Sequence, residues 1–131
     1  MSTDRQAQAP SWTPVLDASD LADGDVRMVR VGGRPVVVVL RANTLHALAG
    51  ICPHDLASLE EASVRGDELI CPRHGACFRL SDGVCGTGFR LPPLRCYPVR
   101  LQGKRVEIDR AAVERNPPGV HVRQRWDLTR E

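Results

Sequence analysis

Apolar positions in this chain come in short runs separated by glycine, aspartate and proline. Trp12 to Leu16 reads as a first strand, followed by Asp17 to Gly24, a stretch of turn residues in which Asp and Ser can cap a short helical turn. Val26 to Val31 alternates weakly and is strand-like. Gly32-Gly33 is a two-residue hairpin signal, and Pro35 to Leu40 reads as a buried strand from its β-branched content. Arg41 to Thr44 turns the chain into a short strand, Leu45 to Leu48. Leu59 to Arg65 has no decisive pattern, and Gly66-Asp67 is a turn. Glu68 to Ile70 and Phe78 to Leu80 are short apolar runs, the second closed by the tight-turn signal Ser81-Asp82-Gly83. Pro92-Pro93 interrupts regular structure. Arg95 to Leu101 alternates, Gln102 to Lys104 turns, and Arg105 to Ile108 is a last strand. Many short strands joined by such turns predict an all-β domain.

The expected organisation is a lead-in over residues 1–11, one domain over 12–109 and an extension over 110–131. In the extension, Ala111 to Arg115 can form a helical turn, and the remainder reads as a tail packed on the surface or partly ordered. A chain of 131 residues with 42% hydrophobic content suits one domain with a packed core, built from aliphatic side chains because aromatics are only 4%. The net charge of +2 gives no electrostatic case for nucleic acid. The longest aliphatic run, Val36 to Leu40, is too short to span a bilayer, and Met1 to Pro10 has no apolar core of a secretory signal. These features lead to the expectation of a soluble, cytoplasmic protein that engages no membrane. Five cysteines, an odd number, argue against a complete disulfide framework and for reduced thiols.

Four residues carry the chemistry. Cys52 and His54 form C-P-H, and Cys71 and His74 form C-P-R-H after sixteen intervening residues. Each half offers one thiolate and one imidazole. Two such halves can hold a two-iron cluster asymmetrically, both cysteines on one iron and both histidines on the other, which is the ligand set of a Rieske [2Fe–2S] centre. Two thiolates, two ferric ions and two sulfides sum to zero charge when the imidazoles are neutral. An electron is added more easily to this neutral cluster than to the dianionic four-cysteine form. The potential window accordingly rises to roughly −150 to +300 mV, against about −400 mV for plant-type clusters. In an extended loop C-x-H sends both side chains to the same side. Pro53 and Pro72 stiffen the loops, and Gly75 allows close approach of backbone to the cluster. The alternative for two Cys and two His is tetrahedral zinc, although C-x-H does not easily turn both groups onto one ion.

Cys52-Pro53-His54 and Cys71-Pro72-Arg73-His74-Gly75 resemble the two cluster-binding motifs of the Rieske family, most of all its small ferredoxins from multicomponent ring-hydroxylating oxygenases. Weaker similarity extends over roughly residues 12 to 109, through Val31 to Val36, Phe78 to Gly83 and Leu94 to Val99. The resemblance implies an antiparallel β-sandwich with a small cluster-binding subdomain at one tip, its loops at about 50–58 and 70–78. It implies one [2Fe–2S] cluster per chain, a flavin-dependent reductase as electron donor and a terminal Rieske oxygenase as acceptor. High-potential respiratory members carry a disulfide between the two loops; the matching positions here are Ala57 and Arg73. They also carry a Ser and a Tyr whose hydroxyls donate to cluster and ligand sulfur; here these positions hold Ala76 and Phe78. Fewer donors imply a potential in the lower part of the Rieske window.

Three function classes compete. A carrier needs only the cluster. A complete oxygenase needs a second iron held by two His and a carboxylate, yet only His46 and His121 remain and each reads as an ordinary surface histidine. A small Rieske subunit of a nitrite reductase is the third reading. No dinucleotide fingerprint and no acid–base dyad or nucleophilic triad is evident, so the chain reads as a carrier and not as an enzyme. If the family fold applies, Asp55 to Ser58, Arg73 and the segment Gly86 to Pro93 surround the histidines. There they shield the cluster, dock the partner, or both. Cys77, Cys85 and Cys96 read as small buried residues.

Overall fold

A computed structural model describes residues 9–53, 56–73, 75–86 and 91–119. Among these the chain forms ten strands: β1 (Trp12–Asp17), β2 (Val26–Val31), β3 (Arg34–Arg41), β4 (Thr44–Ala49), β5 (Ser63–Arg65), β6 (Glu68–Ile70), β7 (Cys77–Arg79), β8 (Cys96–Tyr97), β9 (Val99–Gln102) and β10 (Arg105–Asp109). One short helix, α1 (Arg110–Arg115), follows β10 directly. A 3-10 turn, Ala18–Asp20, is capped by Asp17, whose carboxylate accepts from the Ser19 N–H (2.9 Å).

All strand pairings are antiparallel, in three sheets ordered β1-β10-β9, β2-β3-β4-β8 and β5-β6-β7. The expected all-β, antiparallel architecture is what forms. Side chains from the first two sheets meet in one core: Val106 and Ile108 of β10, Val36 to Val39 of β3, Val31 of β2 and Leu48 of β4 are all fully buried. Successive residues of a strand point to opposite faces. Burial of four consecutive valines therefore means that both faces of β3 are covered, which accounts for its unbroken β-branched run.

Two expectations are refined. Arg95 to Leu101 is not one strand. Pro98 has no N–H to give to a ladder, so the run divides there. Its first part, β8, pairs with β4, and its second, β9, pairs with β10. The pattern-free stretch before Gly66 resolves into β5, whose hairpin with β6 turns at Gly66 (φ +61°). The third sheet is thus built from very short strands, β5, β6 and β7, and it carries the second cysteine loop between β6 and β7. The first cysteine loop leaves β4 and returns toward β5.

The described part of the C-terminal extension packs on the domain. Asp109, almost fully buried, accepts from Ser11 N–H (2.8 Å) and caps α1 by accepting from Ala111 N–H (3.1 Å). Ala112 and Val113 of α1 belong to the core. Among the described residues no helix is long and apolar enough to cross a membrane.

Candidate metal centre

The two cysteine loops are built as the same turn. In the first, the Cys52 N–H donates to the Ala57 carbonyl (2.9 Å) and the Leu56 N–H donates back to the Cys52 carbonyl (2.8 Å). In the second, the Cys71 N–H donates to the Ala76 carbonyl (2.8 Å) and the Gly75 N–H donates back to the Cys71 carbonyl (3.0 Å). The fifth residue of each hexapeptide is left-handed: Leu56 at φ +60° and Gly75 at φ +74°. Glycine takes this conformation without a steric cost, whereas leucine pays about 1–2 kcal/mol. The shared frame Cys-Pro-x-x-x-Ala, at 52–57 and 71–76, is the sequence signal of this equivalence, and it escapes notice when only the cysteines and histidines are aligned.

Each loop is tied to the fold at its base. Ahead of the first, Gly50 donates to the Pro35 carbonyl (2.9 Å) and accepts from Leu59 N–H (2.8 Å), and Ile51 bridges Ser58. Beyond the second, Ile70 pairs with Cys77 and Leu69 with Phe78 in the β6–β7 ladder. Phe78 also bridges Cys85.

Cys52 and Cys71 are buried, and none of the five cysteines is in a disulfide. Two buried thiols at the start of matching turns are the donors that sulfide-bridged iron takes. The residues present therefore fit one side of a [2Fe–2S] cluster. His54 and His74, the other two expected ligands, lie outside the described residues. In sequence they are the third and fourth residues of their hexapeptides. Among the described residues no group of three metal-ligating side chains is gathered.

Of the expected surroundings, Leu56, Ser58 and Arg73 are exposed, Ala57 is half-buried, and Pro92 and Pro93 are exposed beyond half-buried Leu91. Asp55 and residues 87–90 lie outside the described residues, as does His121. Ala76 and Phe78 are fully buried.

Of the remaining thiols, expected to be buried, Cys77 is so and the other two are not. Cys77 is buried and its thiol donates to the Gly75 carbonyl (3.4 Å). Cys85 is half-buried. Cys96 is exposed, because alternation along β8 turns Tyr97 inward and Cys96 outward. Its sulfur nevertheless lies against the Leu94 carbonyl (3.7 Å), and burial, with a smaller push from Asp82, raises the thiol to about 11. His46 is also not a plain surface histidine. It is half-buried on β4, and burial lowers its pKa against the smaller opposing effects of the Leu80 backbone and Asp67.

Comparison with known proteins agrees with this geometry. The family model of the Rieske [2Fe-2S] domain matches residues 11–98. Ferredoxin CarAc of Metapseudomonas resinovorans is 33% identical over 98 residues, covering 74% of this chain and 92% of its own length. The ferredoxin component of the naphthalene 1,2-dioxygenase system of Pseudomonas putida is 28% identical over 98 residues, 75% of this chain and 94% of its own. A chain in the solved complex of reduced oxygenase and oxidized ferredoxin in carbazole 1,9a-dioxygenase superimposes with a TM-score of 0.70. It is 31% identical and covers 77% of this chain and 94% of that one. The chain therefore belongs to the Rieske [2Fe–2S] domain family, carries one such cluster, and is most like the small ferredoxin components of ring-hydroxylating oxygenase systems, electron carriers and not catalysts.

Proposed function

We propose that this chain is the ferredoxin of a multicomponent oxygenase, taking electrons singly from a flavin-dependent reductase and passing them to a terminal Rieske oxygenase. We propose further that Cys52 and Cys71 hold one iron and His54 and His74 the other, within a domain spanning 12–109 that is followed by an extension over 110–131. The single observation that carries the ligand reading is the pair of equivalent turns, each opening on a buried cysteine. Relatives matched over more than nine-tenths of their length are oxygenase ferredoxins, which favours this reading over a nitrite reductase subunit. Membership of the family favours the iron cluster over the zinc alternative. Thiols outside any disulfide, in a chain whose described residues include no membrane-spanning helix, support a cytoplasmic location.

The bound cluster supplies a centre that accepts and releases one electron. The chain's part is to hold the thiolates out of water and to present the histidine side to a partner. Pro53 and Pro72 fix the backbone next to each cysteine, and the reciprocal hydrogen bonds of each turn leave little freedom to the cysteine itself. Leu56, exposed on the first loop, gives a partner an apolar contact, and exposed Arg73 on the second orients it by charge.

Anaerobic stopped-flow mixing of the reduced protein with the terminal oxygenase of the same organism tests the carrier role. Second-order transfer that slows with added salt is expected. An oxygenase left oxidised would overturn the assignment. In the same assay Arg73→Glu slows transfer about tenfold or more at low salt while leaving the protein coloured; unchanged kinetics count against docking at this tip.

A further inference from the structure

The family match ends at residue 98, and the chain goes on. Its continuation leads back to the first cysteine loop. From α1, whose Ala112 and Val113 are buried in the core, the chain passes Asn116, which donates its N–H to the Ala112 carbonyl (3.1 Å). The Asn116 carbonyl accepts from the Tyr97 hydroxyl (2.6 Å), which pins this point to β8. Pro117 and buried Pro118 then restrict the backbone to few conformations. Gly119 arrives against Ile51 and Leu56. A Cβ placed on it would lie 2.9 Å from Ile51 Cγ2, 3.2 Å from Ile51 Cβ and 3.6 Å from a Leu56 methyl. Ile51 directly precedes Cys52, and Leu56 is the left-handed residue that closes the Cys52 turn.

The second loop supplies the contrast. At the equivalent position it has Gly75, which takes the left-handed conformation freely, and a Cβ there would meet nothing within 4 Å among the described residues. A left-handed leucine persists only where the surroundings over-determine it. In the first loop those surroundings include the backbone of Gly119.

We propose that Asn116–Gly119 is a positioning strap for the first cluster loop: seated on Ile51 and Leu56 through Gly119, it holds Leu56 left-handed and so keeps Cys52 in the geometry that binds the cluster. Tyr97 is the strap's anchor and Gly119 its contact point. The inference rests on Cys52 being a cluster ligand.

The test uses full-length holoprotein in four forms: native, Gly119→Val, Leu56→Gly and the double variant. Valine at φ +75° is strained and would overlap Ile51, so the strap cannot seat. Leu56→Gly removes the need for the strap. Bleaching under an iron chelator, the paramagnetic resonance of the reduced cluster and its midpoint potential are recorded for each. Gly119→Val is expected to lose its cluster on the order of tenfold faster than native, with shifted resonance positions and a shifted midpoint potential. In the Leu56→Gly background the same change alters loss by less than about twofold. Native-like loss, resonance and potential in Gly119→Val, or an equal factor in both backgrounds, overturns the strap while leaving the ligand reading intact. A native protein with no Rieske signal overturns the ligand reading itself, and the strap with it.

Discussion

Ala76 and Phe78 sit fully buried just beyond Cys71 and carry no hydroxyl. Without those donors, the added negative charge of the reduced state is less stabilised, and the potential falls in the lower part of the Rieske window. A redox titration with a midpoint well above about +100 mV contradicts this. Cys96 shows how misleading residue exposure alone can be. Its thiol, raised to about 11 chiefly by desolvation and less by Asp82, is protonated near neutrality. Because the thiolate is the nucleophile, alkylation of Cys96 by iodoacetamide is slow at pH 8 and climbs about tenfold per pH unit toward pH 11; a rate already level at pH 8–9 contradicts the shift. The inward or outward aim of Cys96 follows from a register that the sequence of β8 does not disclose. The left-handed state of Leu56 was likewise hidden, since leucine gives no local sign of a conformation imposed by its neighbours. The cysteine positions, by contrast, were plain from residue type and spacing.

Strand β9 is clipped to its neighbours by one side chain. Arg100 donates through Nε to Glu107 Oε1 (2.8 Å), across a register that places the two residues opposite each other, and its guanidinium lies 4.5 Å from the Trp12 ring centre of β1. The Glu107 side chain is only 8% exposed, so Arg100→Ala leaves a buried carboxylate without its cation. A loss of about 1–3 kcal/mol is expected in denaturant unfolding, and Arg100→Lys recovers part of it; a wild-type midpoint for Arg100→Ala refutes the clip. The turn that leaves β7 is tightly packed against residue 94. Gly83 is left-handed (φ +76°), donates to the Arg79 carbonyl (2.7 Å) and accepts from Leu94 N–H (2.8 Å), and any Cβ on it would overlap the Leu94 carbonyl. Gly83→Ala is expected to lower the unfolding temperature by about 10 °C or more, read by circular dichroism; a shift of a degree or two contradicts that packing. Strands flanked by Gly and Asp turns were legible from the sequence, β3 above all. The division at Pro98 was not, because alternation continues through the proline while the hydrogen bonding changes sheets. Nor was β5, three residues long, which exists only because β6 supplies its partner.

The molecule as a whole joins two kinds of scaffold. Strands β1 to β4 and β8 to β10 supply most of the aliphatic core, and the small β5-β6-β7 sheet and the first loop, which bring in Cys71 and Cys52, pack into that same core. Fold class was legible because short strands alternate with Gly and Asp turns, and the family was legible from the paired Cys and His motifs. The course of the C-terminal extension was not, because a tail's docking depends on surfaces distant in sequence, here Tyr97, Ile51 and Leu56. The proposed cluster ligands are the mixed set of Cys52, His54, Cys71 and His74. Pulsed electron paramagnetic resonance on the dithionite-reduced, full-length protein, prepared with and without nitrogen-15 histidine, examines that set. The expected result is a Rieske-type signal, one cluster per chain, coupled to two histidine nitrogens and abolished by Cys71→Ala. A colourless protein holding one zinc per chain, or a cluster with no histidine coupling, contradicts it.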